Sequence, residues 1–179
     1  MDNQSQKKHN GEHPYTDKTG GWMIVLAFVV FLALLTYLFS DLLESQINPN
    51  QQVNTLHSDG YREVRLLRNK YGHYVTNGKI NGKPVVFLLD TGATTVALSE
   101  ELAKQLGLKK GRSLRVSTAN GFTTAHSTTL EQVSIGQITL DNEPASIINN
   151  ASNDQVLLGM AFLKHMELIQ KGEQLIIRQ

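Results

Sequence analysis

Val85-Val86-Phe87-Leu88-Leu89-Asp90-Thr91-Gly92-Ala93-Thr94-Thr95-Val96 opens with five apolar residues and runs straight into an acid. An unbroken run of this kind, with β-branched and aromatic members, marks a strand buried on both faces. Asp90 stands where that strand stops, followed by a hydroxyl residue and a glycine. Two readings fit. Asp, Thr and Gly are common where strands end in turns, because they tolerate tight backbone geometry. Alternatively, a carboxylate at the end of a buried strand, costly unless hydrogen-bonded, is kept there for chemistry. The rest of the chain has to decide between a turn and a catalytic aspartate.

Upstream, Asn81-Gly82 marks a tight hairpin that joins this strand to His73–Ile80, although Asn77-Gly78 is a second possible turn. Glu63-Val64-Arg65-Leu66 alternates as a half-buried strand does, and Asn69–Gly72 supplies a turn. Downstream, Ser99 is an N-cap, Glu100 and Glu101 suit the positive end of a helix, and Gly107 closes it. Leu98, Leu102 and Leu106 put one apolar face on that helix. Residues 112–148 are rich in Ser, Thr, Val and Ile, with turn signals at Asn120-Gly121, Gly136 and Asp141-Asn142, and read as successive strands. Val116–Thr123 forms a hairpin with a polar tip. Val156-Leu157-Leu158-Gly159 is a second apolar run stopping at a glycine, before a short helix from Met160 to His165. Two short strands, Glu167–Ile169 and Leu175–Ile177, flank Lys171-Gly172.

The 179 residues allow one modest domain with accessory segments. Charge is balanced, 17 basic against 16 acidic residues, and no dense basic patch suggests nucleic acid as a partner. The chain has no cysteine, which excludes disulfides, thiolate metal sites and a cysteine nucleophile. His9 and His13 lie four apart, but Gly11 and Pro14 oppose the helix that would make them a chelate. The six histidines share no ligand spacing, so a metal-dependent hydrolase is poorly supported.

Between Trp22 and Phe39 lies an uncharged run of about 18 residues, spanning roughly 27 Å as a helix. Trp22 and Tyr37 sit near its ends, where amphipathic rings favour the membrane interface. The residues leaving the run, Tyr37-Leu38-Phe39-Ser40-Asp41, are too bulky for a signal-peptide cleavage site. The expectation is a transmembrane helix over 22–40. Lys7, Lys8 and Lys18 precede it and no basic residue follows until Arg62. The positive-inside rule therefore places the N-terminus in the cytoplasm and the rest outside. The expected organisation is a disordered cytoplasmic tail over 1–21, the span, a stalk over 41–61 and a folded domain over 62–179. Self-cleavage in the Asn-rich stretch around Pro49 is conceivable, because that stretch reads as flexible.

The set of signals, in this order, resembles the retropepsin-like aspartic proteases, and within them a bacterial membrane-anchored branch. It comprises the strand ending in Asp90-Thr91-Gly92-Ala93-Thr94, the polar hairpin about 30 residues on, and Leu157-Leu158-Gly159 before a short helix. Gly72-His73-Tyr74, Asn81-Gly82 and Leu158-Gly159-Met160 match that branch. The resemblance covers Arg62 to the C-terminus. It implies an all-β, single-lobe closed barrel with one or two short helices, preceded here by one transmembrane helix. It also implies that Asp90 is catalytic, that Thr91, Gly92, Ala93, Thr94 and Gly159 support the loop, and that Ala119, Asn120 and Gly121 tip a flap over a peptide substrate. No metal or cofactor is implied. Thr91 would bond across to its counterpart in a second lobe.

Such chemistry needs two carboxylates sharing a proton, and the chain has one Asp-Thr-Gly. Asp59, Asp141 and Asp154 follow no apolar strand. The second carboxylate is therefore expected from a second copy, in a homodimer. Leu175–Ile177 is a candidate interface strand, an ordinary edge strand of the lobe being the other reading. The expected protein is an aspartic endopeptidase of the bacterial inner membrane with its protease domain in the periplasm. The competing reading is a catalytically silent lobe of the same fold, serving as a membrane-tethered scaffold.

Overall fold

The computed structural model describes residues 18–58, 60–118, 121–149 and 155–179. The chain divides into two compact units, Met1–Asp41 and Leu42–Gln179. The first is dominated by helix α1, Lys18–Ile47, which is 30 residues long. Over Gly21–Ile47 its most apolar window has a mean hydropathy of 2.6, and none of that window is buried. Trp22, Leu26, Phe31 and Phe39 all face outward. A helix apolar around its whole circumference suits hydrocarbon rather than water. This helix is long and apolar enough to cross a membrane. It runs past Phe39 because Asp41–Gln46 are helix-compatible and no proline intervenes before Pro49.

The second unit contains β1 (Thr55–Ser58), β2 (Tyr61–Leu67), β3 (Val75–Ile80), β4 (Lys83–Leu89), β5 (Val96–Ser99) and helix α2 (Glu100–Leu106). These are followed by β6 (Ser113–Thr118), β7 (Gly121–Ile135), β8 (Ile138–Ile148), β9 (Gln155–Leu158), helix α3 (Met160–Leu163), β10 (Glu167–Lys171) and β11 (Gln174–Arg178). Seven strands form one sheet in the order β3-β4-β9-β5-β8-β7-β6, and a further β3–β7 pairing curls it into a barrel. Four form a second sheet, β1-β2-β11-β10. Phe87, Leu98, Leu130, Ile147 and Leu158 from the first, with Phe162 of α3, join Val64, Leu66 and Ile177 from the second in one core.

The all-β fold with short helices is as expected, and local chemistry explains its joints. Asn81 (φ 50°) and Gly82 (φ 78°) both take positive φ, giving a two-residue turn matched to strand twist. Gly78 is not a turn residue. It lies in β3, where a side chain would collide with the Ser134 carbonyl and the Phe87 ring as the barrel closes. Ser99 caps α2 by accepting from the Leu102 N–H at 3.2 Å, and Gly107 ends it at φ 77°.

Three expectations are corrected. Asp141-Asn142 is not a turn: both residues lie within β8, where Asn142 adopts a left-handed φ of 58° without ending the strand. β11 is neither an interface strand nor an edge strand, because β2 and β10 flank it and Leu175, Ile176 and Ile177 are buried in the single chain.

The stalk expected over 41–61 is not free chain. Asn50 is buried and its side chain accepts from Leu67 N (2.7 Å) and donates to the carbonyls of Leu67 (2.9 Å) and Val75 (2.7 Å). Asn48 Nδ2 donates to Asn77 Oδ1, and Asn69 Nδ2 donates to the Ile47 carbonyl. β1 then pairs with β2. Asn reads as loop composition, yet here the amides tie the segment down: Asn50 bonds strand backbone, Asn48 the Asn77 side chain and Asn69 the end of α1. Pro49, between two buried asparagines, is accordingly a poor site for self-cleavage.

Candidate active site

Asp90 lies at the carboxyl end of β4, which runs parallel to β9 with Leu88 opposite Leu157 and Leu89 opposite Leu158. That register places Asp90 beside Gly159. The Asp90 N–H donates to the Leu158 carbonyl (3.2 Å), continuing the ladder one residue beyond β4. The chain then turns sharply, with Ala93 N–H donating to the Asp90 carbonyl (3.1 Å) and Gly92 N–H donating to Asp90 Oδ1 (2.8 Å). One carboxylate oxygen is thus oriented by its own loop. The other has no hydrogen-bond partner among the described residues. Asp90 is half-buried, while Thr91, Gly92 and Thr94 are exposed. The Thr91 hydroxyl also lacks a partner among the described residues, and the residue is exposed.

The loop is bolted to the start of α3. Met160 N–H donates to the Ala93 carbonyl and Ala161 N–H to the Thr94 carbonyl, both at 2.8 Å. This approach requires glycine at 159: a Cβ there would lie 2.5 Å from the Ala93 carbonyl oxygen and would also strike that of Thr95. The structure therefore brings together Asp90, Thr91, Gly92, Ala93, Thr94 and Gly159. Of the hairpin tip, Ala119 and Asn120 lie outside the described residues. Gly121 opens β7 opposite Thr118. On this hairpin Arg115 stacks 4.4 Å over the Phe122 ring. Ser113, Leu114, Arg115, Phe122, Thr123 and Thr124 line a cavity of about 260 Å³ there.

One pair beside the loop escaped the sequence reading. Thr95 Oγ1 and Ser146 Oγ share a hydrogen bond of 2.9 Å, at the point where β5 and β8 run parallel. A threonine directly after the Asp-Thr-Gly loop was visible, but its partner depends on a pairing between strands about 50 residues apart in sequence. Strong electrostatics lie elsewhere. Glu63 is held below the usual carboxylate range by hydrogen bonds from Arg65 (2.7 Å) and Arg178 (3.0 Å). Lys110 and Lys104 hold Glu100 down to about 2. Burial pushes Glu143 up, against the pull of His165 and Lys164. No cluster of three or more His, Cys, Asp or Glu able to hold a metal exists among the described residues.

Residues 76–165 match the protein family described as "gag-polyprotein putative aspartyl protease". The chain is 35% identical over 153 residues to the "Uncharacterized protein in cobV 5'region" of Sinorhizobium sp, covering 80% of this chain and 66% of that protein. It is 32% identical over 118 residues to the "Uncharacterized protein RP867" of Rickettsia prowazekii (strain Madrid E), covering 64% of this chain and 50% of that protein. It therefore spans just under two thirds of the first relative's length and half of the second's. Its structure is similar to the crystal structure of a retropepsin-like aspartic protease from Rickettsia conorii. Identity there is 31% and the TM-score 0.56, with 71% of this chain and 95% of that chain covered. The family match takes in the Asp90 loop, Gly159 and the hairpin between them, and the chain accordingly belongs to the gag-polyprotein aspartyl protease family, with a retropepsin-like fold.

Proposed function

We propose that this protein is a membrane-anchored aspartic endopeptidase whose catalytic site is completed by a second copy of the chain. The observation that carries the reading is Asp90: a carboxylate fixed at a strand end, one oxygen oriented by the Gly92 N–H and the other unengaged among the described residues. The chain supplies one such loop. Asp141, for comparison, sits on the exposed edge of the β7–β8 ladder and accepts from Gln132 (3.2 Å).

In the proposed dimer the two Asp90 carboxylates flank a water and share one proton, since like charges that close do not both ionise. The ionised carboxylate takes a proton from the water as it attacks the scissile carbonyl. The protonated one, Asp90 of the partner subunit, donates to the carbonyl oxygen. Thr91 reaches across to the partner's loop, which explains why its hydroxyl is exposed and unsatisfied in one chain. Gly159, with Ala93 and Thr94, keeps the loop rigid, and Ala119, Asn120 and Gly121 form the flap over the peptide. The apolar part of α1 is the anchor in a bacterial inner membrane, with Lys7, Lys8 and Lys18 on the cytoplasmic side and the lobe in the periplasm. Confinement to one membrane raises the effective concentration of partner chains.

The test is cleavage of a peptide library by the full-length chain in detergent, between mildly acidic and neutral pH, beside Asp90→Asn. Cleavage by the parent alone is expected. Equal cleavage by both removes Asp90 from the chemistry, and no cleavage by either favours a silent lobe.

A further inference from the structure

The four-stranded sheet has two outer strands, β1 and β10, and they differ in what they offer. β1, Thr-Leu-His-Ser, carries no formal charge with its histidine neutral. β10, Glu-Leu-Ile-Gln-Lys, begins with an acid and ends with a base.

The direction of each backbone group on β10 follows from its neighbours. Gln179 and Arg62 exchange both backbone bonds at 3.0 Å, so the odd-numbered residues at this end of β11 bond toward β2. Arg68 N–H donating to the Glu173 carbonyl (2.9 Å) keeps the same phase. Gln174, Ile176 and Arg178 therefore bond the other way, to Lys171, Ile169 and Glu167. The remaining residues, Leu168 and Gln170, point their N–H and C=O groups out of the sheet, along an edge with no strand beside it among the described residues.

An antiparallel copy of β10 can satisfy those groups only in registers that set outward residues opposite outward residues. The register with Leu168 opposite the partner's Gln170 puts Ile169 on the two-fold axis. It also sets Glu167 opposite the partner's Lys171, twice by symmetry. Both charged pairs then occupy non-hydrogen-bonded positions, where side chains lie closest. Sliding by one step to centre on Leu168 sets Glu167 against Ile169. Centring on Gln170 sets Lys171 against Ile169. The charge pattern selects the first.

Lys171 is exposed and makes no ion pair among the described residues; Glu167 meets Arg178 at 3.1 Å through Oε2 and is still largely exposed. Leu168 packs against the core yet keeps part of its surface open at the edge, as a side chain awaiting a neighbour does. Only α3 and one turn separate Gly159, beside the Asp90 loop, from Glu167.

We propose that two copies of this chain pair through β10 in that register, joining their four-stranded sheets into one. The partner is a second copy because the edge is complementary to itself. This rests on the two-copy reading of the site given above, but it is tested through association.

The chain lacks cysteine, so Ile169→Cys introduces the only thiol. In full-length protein in detergent, mild oxidation is expected to cross-link Ile169→Cys as a dimer, because symmetric non-hydrogen-bonded positions suit disulfide geometry. Gln170→Cys is the control expected to stay largely monomeric. Lys171→Glu sets acid against acid twice and should weaken self-association about tenfold. Glu167→Lys should do the same with the opposite sign. Mixing the two variants restores both pairs, so the mixture should associate where neither does alone. Rescue on mixing also shows that each variant is folded. Cross-linking at Gln170 instead of Ile169, or two variants that associate as the parent does, would overturn the interface. If the chains pair as described but cut no peptide, the interface stands and the protease reading falls. If cleavage needs Asp90 while the β10 variants change nothing, the reverse holds.

Discussion

Two junctions hold this lobe together by opposite means. At the Asp90 loop, backbone meets backbone: Ala93 and Thr94 carbonyls accept from Met160 and Ala161, and the approach is close because residue 159 has no side chain. At the end of α1, side-chain amides make the junction: Asn50 bonds the backbone of β2 and β3, Asn48 bonds the Asn77 side chain and Asn69 bonds the Ile47 carbonyl. The first junction works by leaving atoms out and the second by filling space with amides. Their sensitivity to substitution should differ accordingly.

Gly159→Ala should have the largest effect. The added Cβ would meet two backbone carbonyls, which cannot rotate aside as a flexible side chain can. A loss of about 3 kcal/mol in unfolding free energy is expected, together with loss of any activity that depends on the loop. Chemical denaturation of the detergent-solubilised chain measures it. A fully stable variant would mean that the two segments are not as close as described.

Asn50→Ala comes next. It strips partners from the partly buried Leu67 N–H and carbonyl and from the buried Val75 carbonyl, and should cost about 2 kcal/mol. Hydrogen exchange should rise at Leu67. If Asn50→Ala is neutral, the segment around Pro49 is the free stalk that its composition suggests.

Glu143 sharpens the contrast, since it is a buried polar group that is not fully satisfied. It is buried, and its Oε2 has no partner among the described residues. Burial raises its pKa above the ordinary carboxylate value of about 4.5 in the folded state. The native state therefore holds that proton more tightly than the unfolded chain, and stability falls as pH rises from about 4.5 through the folded value. Glu143→Gln should be more stable than the parent at neutral pH, with the difference shrinking as pH falls through the raised folded value toward about 4.5 and no longer changing below it. An equal difference at every pH would assign the effect to packing.

The smallest effect is at Ser99, where Ser99→Ala should cost about 1 kcal/mol by removing the oxygen that accepts from Leu102 N–H. It is the ordinary case: a single cap of α2, away from both junctions.

What could be read in the sequence follows the same division. The apolar run into Asp90, the Asn81-Gly82 turn, the Ser99 and Gly107 caps and the stop at Gly159 each announce themselves locally. Asn48 and Asn50 do not, because their role comes from strands about 20 residues away. The inner place of β11 was hidden for a related reason. Glu167–Ile169 and Leu175–Ile177 look alike as strands, and only the pairing of β11 with β2 leaves β10 at the edge. The Thr95–Ser146 bond likewise depends on a parallel register that no local pattern encodes.

The central claim is that one chain carries half of a catalytic site. It is tested most directly by diluting the parent chain with Asp90→Asn at constant total protein and measuring peptide cleavage. If each site needs an Asp90 from both chains, activity should fall as the square of the parent fraction. A linear fall would mean that each chain works alone and would contradict the account.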